Sequence, residues 1–206
     1  MTHIIFFNGW GMDKGVFKHF NTSDDIQITE VNSYHQYHEP TITNDCDRTV
    51  VVAWSLGVIM ATKFYIQHNL FIDKFIVING ACDGFDKHKG LPKVMSMLTA
   101  KRWNTSTLTG FNEKMNGTSE VIVPCNRSIE DQKAELIFLM EHHDEIQSNL
   151  LTVNDPCITV LISENEWIYP AKNLIRCWQH QNIVIIKDKF HNPFYSTYSW
   201  KQWIEN

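Results

Sequence analysis

The fold is decided by the stretch Thr49-Val50-Val51-Val52-Ala53-Trp54-Ser55-Leu56-Gly57, which passes directly into Val58-Ile59-Met60-Ala61-Thr62-Lys63-Phe64. The β-branched run at 49–52 is typical of a strand buried on both faces. From Leu56 to about His68 the apolar residues recur every three to four positions, as they do in a core-facing helix. The sequence therefore predicts that Ser55 lies on a turn between a buried strand and a helix.

The turn at Ser55 has the pattern of a nucleophile elbow. Such a turn is sharp, so the residues two before and two after the serine must be small, and Ala53 and Gly57 meet this requirement. The hydroxyl then stands clear of the sheet, beside backbone N–H groups at a helix N-terminus that favour negative charge. The pattern predicts a nucleophilic serine; a buried serine that caps a helix is the alternative.

Length and composition indicate one folded domain. The chain has 206 residues, of which 43% are hydrophobic and 20% charged, so it can bury a sizeable core and disorder is not indicated. The first eight residues lack a basic region, and their apolar run is too short for a signal peptide or a membrane span. We therefore expect a cytosolic protein that does not bind a membrane. The five cysteines, without any C-x-x-C spacing, predict reduced thiols.

The charge of the chain is unevenly distributed. A formal net charge of -5 argues against nonspecific binding to nucleic acid. Residues 84–133 nevertheless contain eight basic and five acidic side chains, so this segment carries +3 and the remainder -8. Two interpretations stay open: a solvated surface, or a docking surface for an acidic partner.

Strand-like and helix-like segments alternate along most of the chain. The predicted strands are 3–7, 26–31, 49–52, 74–80, 157–162 and 183–186. Their short spacing predicts parallel pairing through right-handed crossovers. The segment at about 82–150 interrupts the alternation and predicts an insertion over one end of the sheet, a lid, with helices at 93–98 and 130–142. The predicted fold class is α/β: a single domain over 1–206 with a mostly parallel sheet, helices on both faces and a helical lid.

Apolar side chains in the insertion are candidates for an acyl pocket, with packing of the insertion against the body as the alternative. They are Met95, Met97, Leu98, Trp103, Phe111, Ile137, Phe138 and Met140. His35 and His38 are predicted to be surface histidines, because no cysteine or second histidine pair is spaced to complete a metal site. We expect neither a metal nor a cofactor.

Polar groups follow four of the predicted strands. Parallel α/β sheets form their sites at the carboxyl ends of strands. Here those ends carry the loop Asn8-Gly9-Trp10-Gly11, Ser55, the acidic loop at 164–166, and His191. The order of oxyanion loop, serine, acid and histidine is that of an α/β-hydrolase.

The residue types fit acyl transfer. A serine hydroxyl is a weak nucleophile at neutral pH, so it needs a neutral imidazole to accept its proton, and His191 is the histidine at a strand end. A carboxylate then orients that imidazole and stabilises its protonated form. Glu166 is the predicted acid, with Glu164 and Asp188 as alternatives.

Two backbone N–H groups are predicted to form the oxyanion hole. They belong to Leu56, directly after the nucleophile, and to Trp10, whose flanking glycines allow close approach of the backbone. We also predict that Trp54, Gly9 and Gly11 contact the substrate.

With these motifs in place, the sequence resembles the pimeloyl-[acyl-carrier protein] methyl ester esterases of biotin synthesis, in particular their short BioG type. The resemblance spans nearly the whole chain. It is carried by Phe6-Phe7-Asn8-Gly9-Trp10-Gly11, Val52-Ala53-Trp54-Ser55-Leu56-Gly57-Val58, Val77-Ile78-Asn79-Gly80, Trp167-Ile168-Tyr169-Pro170-Ala171 and Phe190-His191.

The resemblance implies a serine esterase that cleaves the methyl ester of a pimeloyl group on acyl carrier protein and so frees the carboxylate for biotin assembly. Ser55 and His191 match the nucleophile and base of the family, whereas the related longer esterases have an aspartate where this chain has Glu166. The acidic carrier protein that the family uses fits the basic segment at 84–133. Two alternatives stay open: an esterase or thioesterase for another acyl substrate, and a noncatalytic scaffold that binds a ligand or partner.

Overall fold

A six-stranded sheet forms the centre of the protein. The computed structural model describes residues 1–21, 23–43, 45–120, 123, 125–143, 153–197 and 199–205. The strands lie in the order β2-β1-β3-β4-β5-β6, and all five neighbouring pairs run parallel, which confirms the predicted α/β class. The strands are β1 (Thr2–Phe7), β2 (Ile26–Val31), β3 (Arg48–Trp54), β4 (Lys74–Ile78), β5 (Ile158–Asn165) and β6 (Asn182–Phe190).

Strand β3 is buried on both faces, as its β-branched run predicts. Successive side chains point to opposite faces of a strand. Val51 and Ala53 pack into the cluster on one side of the sheet, whereas Val50, Val52 and Trp54 pack into the cluster on the other side. All five side chains are completely inaccessible to solvent, so this strand anchors both layers of the core.

Among the described residues, six α-helices accompany the sheet: α1 (Gly57–His68), α2 (Lys93–Arg102), α3 (Thr105–Asn116), α4 (Ile129–His142), α5 (Ala171–Cys177) and α6 (Lys201–Ile204). Helices α2 to α4 lie between β4 and β5 in the chain, within the predicted insertion. None of the helices in the described part of the chain combines the length and apolar character that a membrane crossing requires.

Helix α3 occupies a polar stretch for which the sequence predicted no helix. Its start is fixed by a capping box, in which the Asn104 side chain accepts from the N–H groups of Ser106 and Thr107, and Thr107 Oγ1 accepts from the Asn104 N–H. Its end is Gly117, whose φ of 72° is the left-handed conformation common after a helix. Both signals are local, and they outweigh the weak apolar periodicity.

Short helical elements lie near both ends of the described chain. A 3₁₀ turn at Lys14–Phe17 is capped by the Asp13 side chain. Helix α6 begins directly after Trp200. Trp200 and Trp203 are buried against the face of the sheet opposite α1.

The register of the sheet aligns the strand ends. Phe7 pairs with Ala53, Ala53 with Val77, and Val77 with Val160. Because these strands are parallel, the residues that follow them meet at one edge of the sheet. That edge carries the candidate site.

Candidate active site

Ser55 lies on a sharp turn between β3 and α1. Its φ is 56°, a left-handed conformation that is uncommon for a residue with a side chain and that is typical of a nucleophile elbow. A Cβ atom at Gly57 would lie 2.2 Å from the carbonyl oxygen of Asn8 and 2.6 Å from the Tyr34 hydroxyl. The turn can therefore form only with glycine at this position.

The substitution Gly57→Ala is expected to destabilise the protein severely, since the nearest clash is with backbone that cannot move away. Gly110→Ala is the matched control: Gly110 lies within α3, a Cβ there meets nothing within 4 Å, and alanine raises helix propensity by up to about 1 kcal/mol. Thermal unfolding of both variants tests this pair. An unchanged Tm for Gly57→Ala would contradict the described elbow.

The structure brings Ser55, His191 and Glu166 together. Ser55 Oγ lies 2.9 Å from His191 Nε2, and His191 Nδ1 lies 2.8 Å from Glu166 Oε2. The other carboxylate oxygen accepts from the N–H groups of Ile168 (2.7 Å) and Tyr169 (2.8 Å), so the buried acid is fully hydrogen-bonded. With the Nδ1 proton donated to Glu166, Nε2 is left to accept the serine proton.

The two alternative acids lie away from His191. Glu164 is still part of β5, its side chain is exposed, and its Oε2 accepts the backbone N–H of Asp188 at 3.2 Å. Asp188 is also exposed. A register irregularity between Ser163 and Asn165 ends the regular pairing of β5, and Glu166 is the first residue after the strand.

Trp54 and Asn79 hold the backbone of His191. Trp54 Nε1 donates to the His191 carbonyl oxygen at 2.8 Å, and Asn79 Nδ2 donates to the same atom at 2.9 Å. Trp54 is completely buried, so the structure places it behind His191 rather than at the cavity, in contrast to the predicted substrate contact. The contact of Asn79 with His191 was not predicted from the sequence, although a polar residue directly after β4 (Lys74–Ile78) was a usable signal.

The loop after β1 is a type II turn. The Gly9 carbonyl oxygen accepts from the Met12 N–H at 3.1 Å, and Gly11 at the third position has φ of 73°, which that turn requires. Trp10 occupies the second position. Among the described residues, neither the Trp10 N–H nor the Leu56 N–H has an acceptor, and both residues line one cavity with Ser55. These two donors are therefore available to a bound oxyanion.

The glycines of this turn serve its shape. A Cβ at Gly9 would lie 2.8 Å from the Trp54 ring, and the Gly11 N–H donates to the Glu135 carboxylate at 2.8 Å. Neither glycine lines the cavity beside Ser55, so the structure gives both a role within the protein instead of the predicted contact with substrate.

A mostly apolar cavity of about 210 Å³ opens beside Ser55. It continues into a groove of about 430 Å³ between α2 and α3, since both are lined by Met95, Thr99, Phe111 and Lys114. Of the candidate acyl-pocket residues, Met95 and Phe111 line the cavity, and Leu98 and Trp103 line the groove. Three of the others, Met97, Ile137 and Met140, line a separate groove between α2 and α4, and Phe138 stacks on His142.

Within the described part of the chain, two of the eight basic residues in 84–133 form ion pairs with carboxylates. Lys89 pairs with Asp83 at 3.2 Å, and Arg127 pairs with Asp131 and the buried Glu135. The described residues that line the cavity and the α2–α3 groove include Arg102 and Lys114 and no carboxylate.

All five cysteines are free thiols. Within the described residues, Cys82, Asp83 and Cys177 form the one group with metal-ligand geometry, their ligand atoms lying within 4.8 Å of one another. Asp83 is already paired with Lys89, and the two sulfur atoms lie 3.1 Å apart in mutual contact. These side chains therefore satisfy one another without an ion.

Comparison with known proteins identifies the family. The family model for "Pimeloyl-ACP methyl esterase BioG" matches residues 1–203. The crystal structure of BioG from Haemophilus influenzae matches 98% of this chain and 94% of that chain at 18% identity, with a TM-score of 0.84. Naproxen esterase from Bacillus subtilis shares the fold at 10% identity over 95% of this chain and 79% of that one, with a TM-score of 0.57.

A malonyl-[acyl-carrier protein] O-methyltransferase from Bacteroides fragilis (strain 638R) is 28% identical over 182 residues, which are 85% of this chain. The match spans only 36% of that longer relative. The family model, in contrast, covers nearly all of this chain, so the protein belongs to the BioG family.

Proposed function

We propose that this protein is a serine carboxylesterase that hydrolyses the methyl ester of a pimeloyl group carried on acyl carrier protein, as a step of biotin synthesis. The contact of Ser55 with His191 and of His191 with Glu166, beside two unpaired backbone donors, carries the esterase part of the proposal. Membership of the BioG family supports the substrate.

The geometry supports a two-step mechanism. Ser55 Oγ attacks the ester carbonyl while His191 Nε2 accepts its proton, and Glu166 stabilises the resulting imidazolium. The N–H groups of Trp10 and Leu56 donate to the oxyanion, each contributing about 3 kcal/mol. His191 then protonates the departing methoxide to give methanol. Water, deprotonated by His191, attacks the acyl-serine and releases the free carboxylate.

The cavity and its surroundings support a long acyl chain on an acidic carrier. A cavity of about 210 Å³ is smaller than a typical site for a whole ligand, so the chain is expected to continue into the α2–α3 groove. The exposed surface of α2 presents Val94, Met97 and Leu98 between the cations Lys93 and Lys101. We assign the docking of the carrier to this surface.

The methyltransferase relative favours the same functional group. A methyltransferase forms a methyl ester and an esterase removes it, and both names refer to acyl groups on a carrier protein. A serine–histidine–acid arrangement has no role in transfer from a methyl donor, so the site of this protein favours removal of a methyl ester over its formation.

The decisive experiment is incubation of pimeloyl-carrier-protein methyl ester with the wild type and with Ser55→Ala, followed by mass spectrometry of the carrier. The expected result is loss of the methyl group with the wild type alone. If the wild type hydrolysed only other acyl esters or thioesters, the protein would be an esterase or thioesterase for another acyl substrate. Absence of any hydrolysis and of labelling by a fluorophosphonate probe would indicate a noncatalytic scaffold.

Charge reversal on α2 tests the docking surface. The variant Lys93→Glu/Lys101→Glu is expected to lower kcat/KM for the carrier-bound ester several-fold and to weaken its salt dependence, because surface charges chiefly steer encounter. Neither residue lines the cavity at Ser55, so hydrolysis of a small free ester should stay nearly unchanged.

Lys18→Glu/Lys187→Glu is the matched control, since it changes the charge equally at exposed residues outside the insertion. If both variants lowered kcat/KM for the carrier-bound ester equally, the effect would come from the net charge of the protein and not from the surface of α2. Loss on the free ester as well would show that the α2 lysines support structure.

A further inference from the structure

Helix α4 holds the turn that carries Trp10 through a buried carboxylate. Glu135 is completely inaccessible to solvent. Its Oε2 accepts from the Gly11 N–H at 2.8 Å and from Arg127 Nη1 at 2.7 Å, and its Oε1 accepts from the Tyr34 N–H at 3.0 Å. One side chain therefore joins α4 to the loops that follow β1 and β2.

The hydrogen bond to Gly11 fixes the orientation of one peptide group. In a type II turn the central peptide, here Trp10–Gly11, is rotated by about half a turn relative to a type I turn. Its N–H reaches Glu135 only in the observed orientation. The torsion angles that set this peptide belong to Trp10 and Gly11, so the same contact restrains the Trp10 backbone.

The Trp10 side chain is held by the same helix. Its Nε1 donates to the Gln132 carbonyl oxygen at 2.6 Å, one turn of α4 before Glu135. The Gly9–Trp10 peptide has its carbonyl oxygen bonded to the Met12 N–H, which leaves the Trp10 N–H facing away from that bond. Three hydrogen bonds therefore restrain the backbone around the Trp10 N–H. Two of them are made to α4, by Trp10 Nε1 and by the Gly11 N–H, and the third is made by the Met12 N–H.

The Glu135 charge is compensated where it lies. Burial disfavours the charged form of Arg127, yet attraction by Glu135 and bonds to Asp131 and Glu135 raise the pKa of the guanidinium above its usual value. The 2.7 Å contact with Arg127 therefore holds the Glu135 side chain in place as an acceptor for the turn.

We propose that Glu135 is a positioning residue of the oxyanion hole, which holds the Gly9–Met12 turn so that the Trp10 N–H is directed at the developing oxyanion. The inference rests on the proposed esterase function and names a residue through which the insertion acts on it. Helix α4 is then a fixed part of the catalytic framework rather than a cover that moves independently of it.

The test is Glu135→Leu with Glu130→Leu as its matched control. Leucine removes both acceptor oxygens, so the N–H groups of Gly11 and Tyr34 lose their partner, and Glu130→Leu makes the same change at an exposed position of α4. For a small ester we expect Glu135→Leu to lower kcat about 10- to 100-fold, with KM within about threefold, because only the transition state carries the oxyanion. Glu130→Leu should match the wild type.

A second readout separates positioning from general damage. A trifluoromethyl ketone adds to the serine and forms an oxyanion, so its affinity for Glu135→Leu should fall by about the same factor as kcat. Two results would overturn the inference while leaving the esterase assignment in place: a raised KM with unchanged inhibitor affinity, or an unchanged kcat. A wild type without ester hydrolysis would overturn both.

Loss of the carboxylate leaves the buried Arg127 with Asp131 as its remaining ion-pair partner, which can unfold the single variant. The double variant Arg127→Met/Glu135→Leu removes both charges of the buried pair, while the partly exposed Asp131 keeps its contact with His35. It is expected to fold, as measured by circular dichroism, and to show the same fall in kcat and inhibitor affinity. Wild-type kcat in the folded double variant contradicts a positioning role for Glu135.

Discussion

Ser55→Ala is expected to reduce kcat for ester hydrolysis by about 10⁶-fold, and His191→Ala by a similar factor. In the proposed mechanism the serine oxygen forms the acyl intermediate, and His191 Nε2, which lies 2.9 Å from it, is the base. Nucleophile and base act as one unit, so the double variant should be little slower than either single variant. Steady-state rates, with circular dichroism as the check on folding, test this expectation.

Matched substitutions elsewhere control for nonspecific effects. Ser106→Ala and His180→Ala change the same residue types at exposed positions and should leave kcat unchanged. A fluorophosphonate probe should label the wild type and both controls but not Ser55→Ala. Turnover near the wild-type rate by folded Ser55→Ala would remove Ser55 as nucleophile.

The strand ends were predictable because parallel pairing constrains them strongly. The β-branched run before Ser55 requires burial on both faces, which only the interior of a covered sheet provides. Once β1 and β3 are neighbours in register, the loop at Trp10 must meet the turn at Ser55, as Phe7 opposite Ala53 shows. The spacing of Ala53 and Gly57 around the serine then specifies the sharp turn, which the Ser55 φ of 56° displays.

The parts that were not predictable depend on contacts between distant segments. Glu135 reaches Gly11 across 124 positions of sequence, and its own helical pattern gives no sign that this face of α4 meets a turn rather than solvent. The apolar pattern of β3 is the same whether the Trp54 side chain contacts a substrate or packs behind His191. Its burial decides between these, and burial follows from the terminal segment that packs over it, as the contact with Phe194 shows.

The choice of acid was open in the sequence for a related reason. Glu164, Glu166 and Asp188 all lie near the ends of β5 and β6, and a shift of one residue in either strand exchanges the side chains that face the site. The structure extends β5 to Asn165, so Glu164 remains in the strand while Glu166 enters the loop beside His191.

Glu166→Gln is therefore expected to lower kcat by about 10⁴-fold with little change in KM, since the amide no longer holds His191 in the tautomer that leaves Nε2 free to accept the serine proton. Glu164→Gln and Asp188→Asn make the same kind of change at exposed positions that contact each other instead of His191, and both should retain most of the wild-type kcat.

Parallel measurement of kcat and Tm for the three variants separates the outcomes. Glu166 also accepts the N–H groups of Ile168 and Tyr169, and the glutamine oxygen can retain those bonds only if its NH₂ group then faces His191. In that arrangement Nδ1 becomes the acceptor and Nε2 the donor, so the loop keeps its structure and the variant keeps its Tm while the base is lost. If Glu166→Gln stayed active while Asp188→Asn or Glu164→Gln lost most of its kcat, the residue changed in that inactive variant would be the acid instead of Glu166.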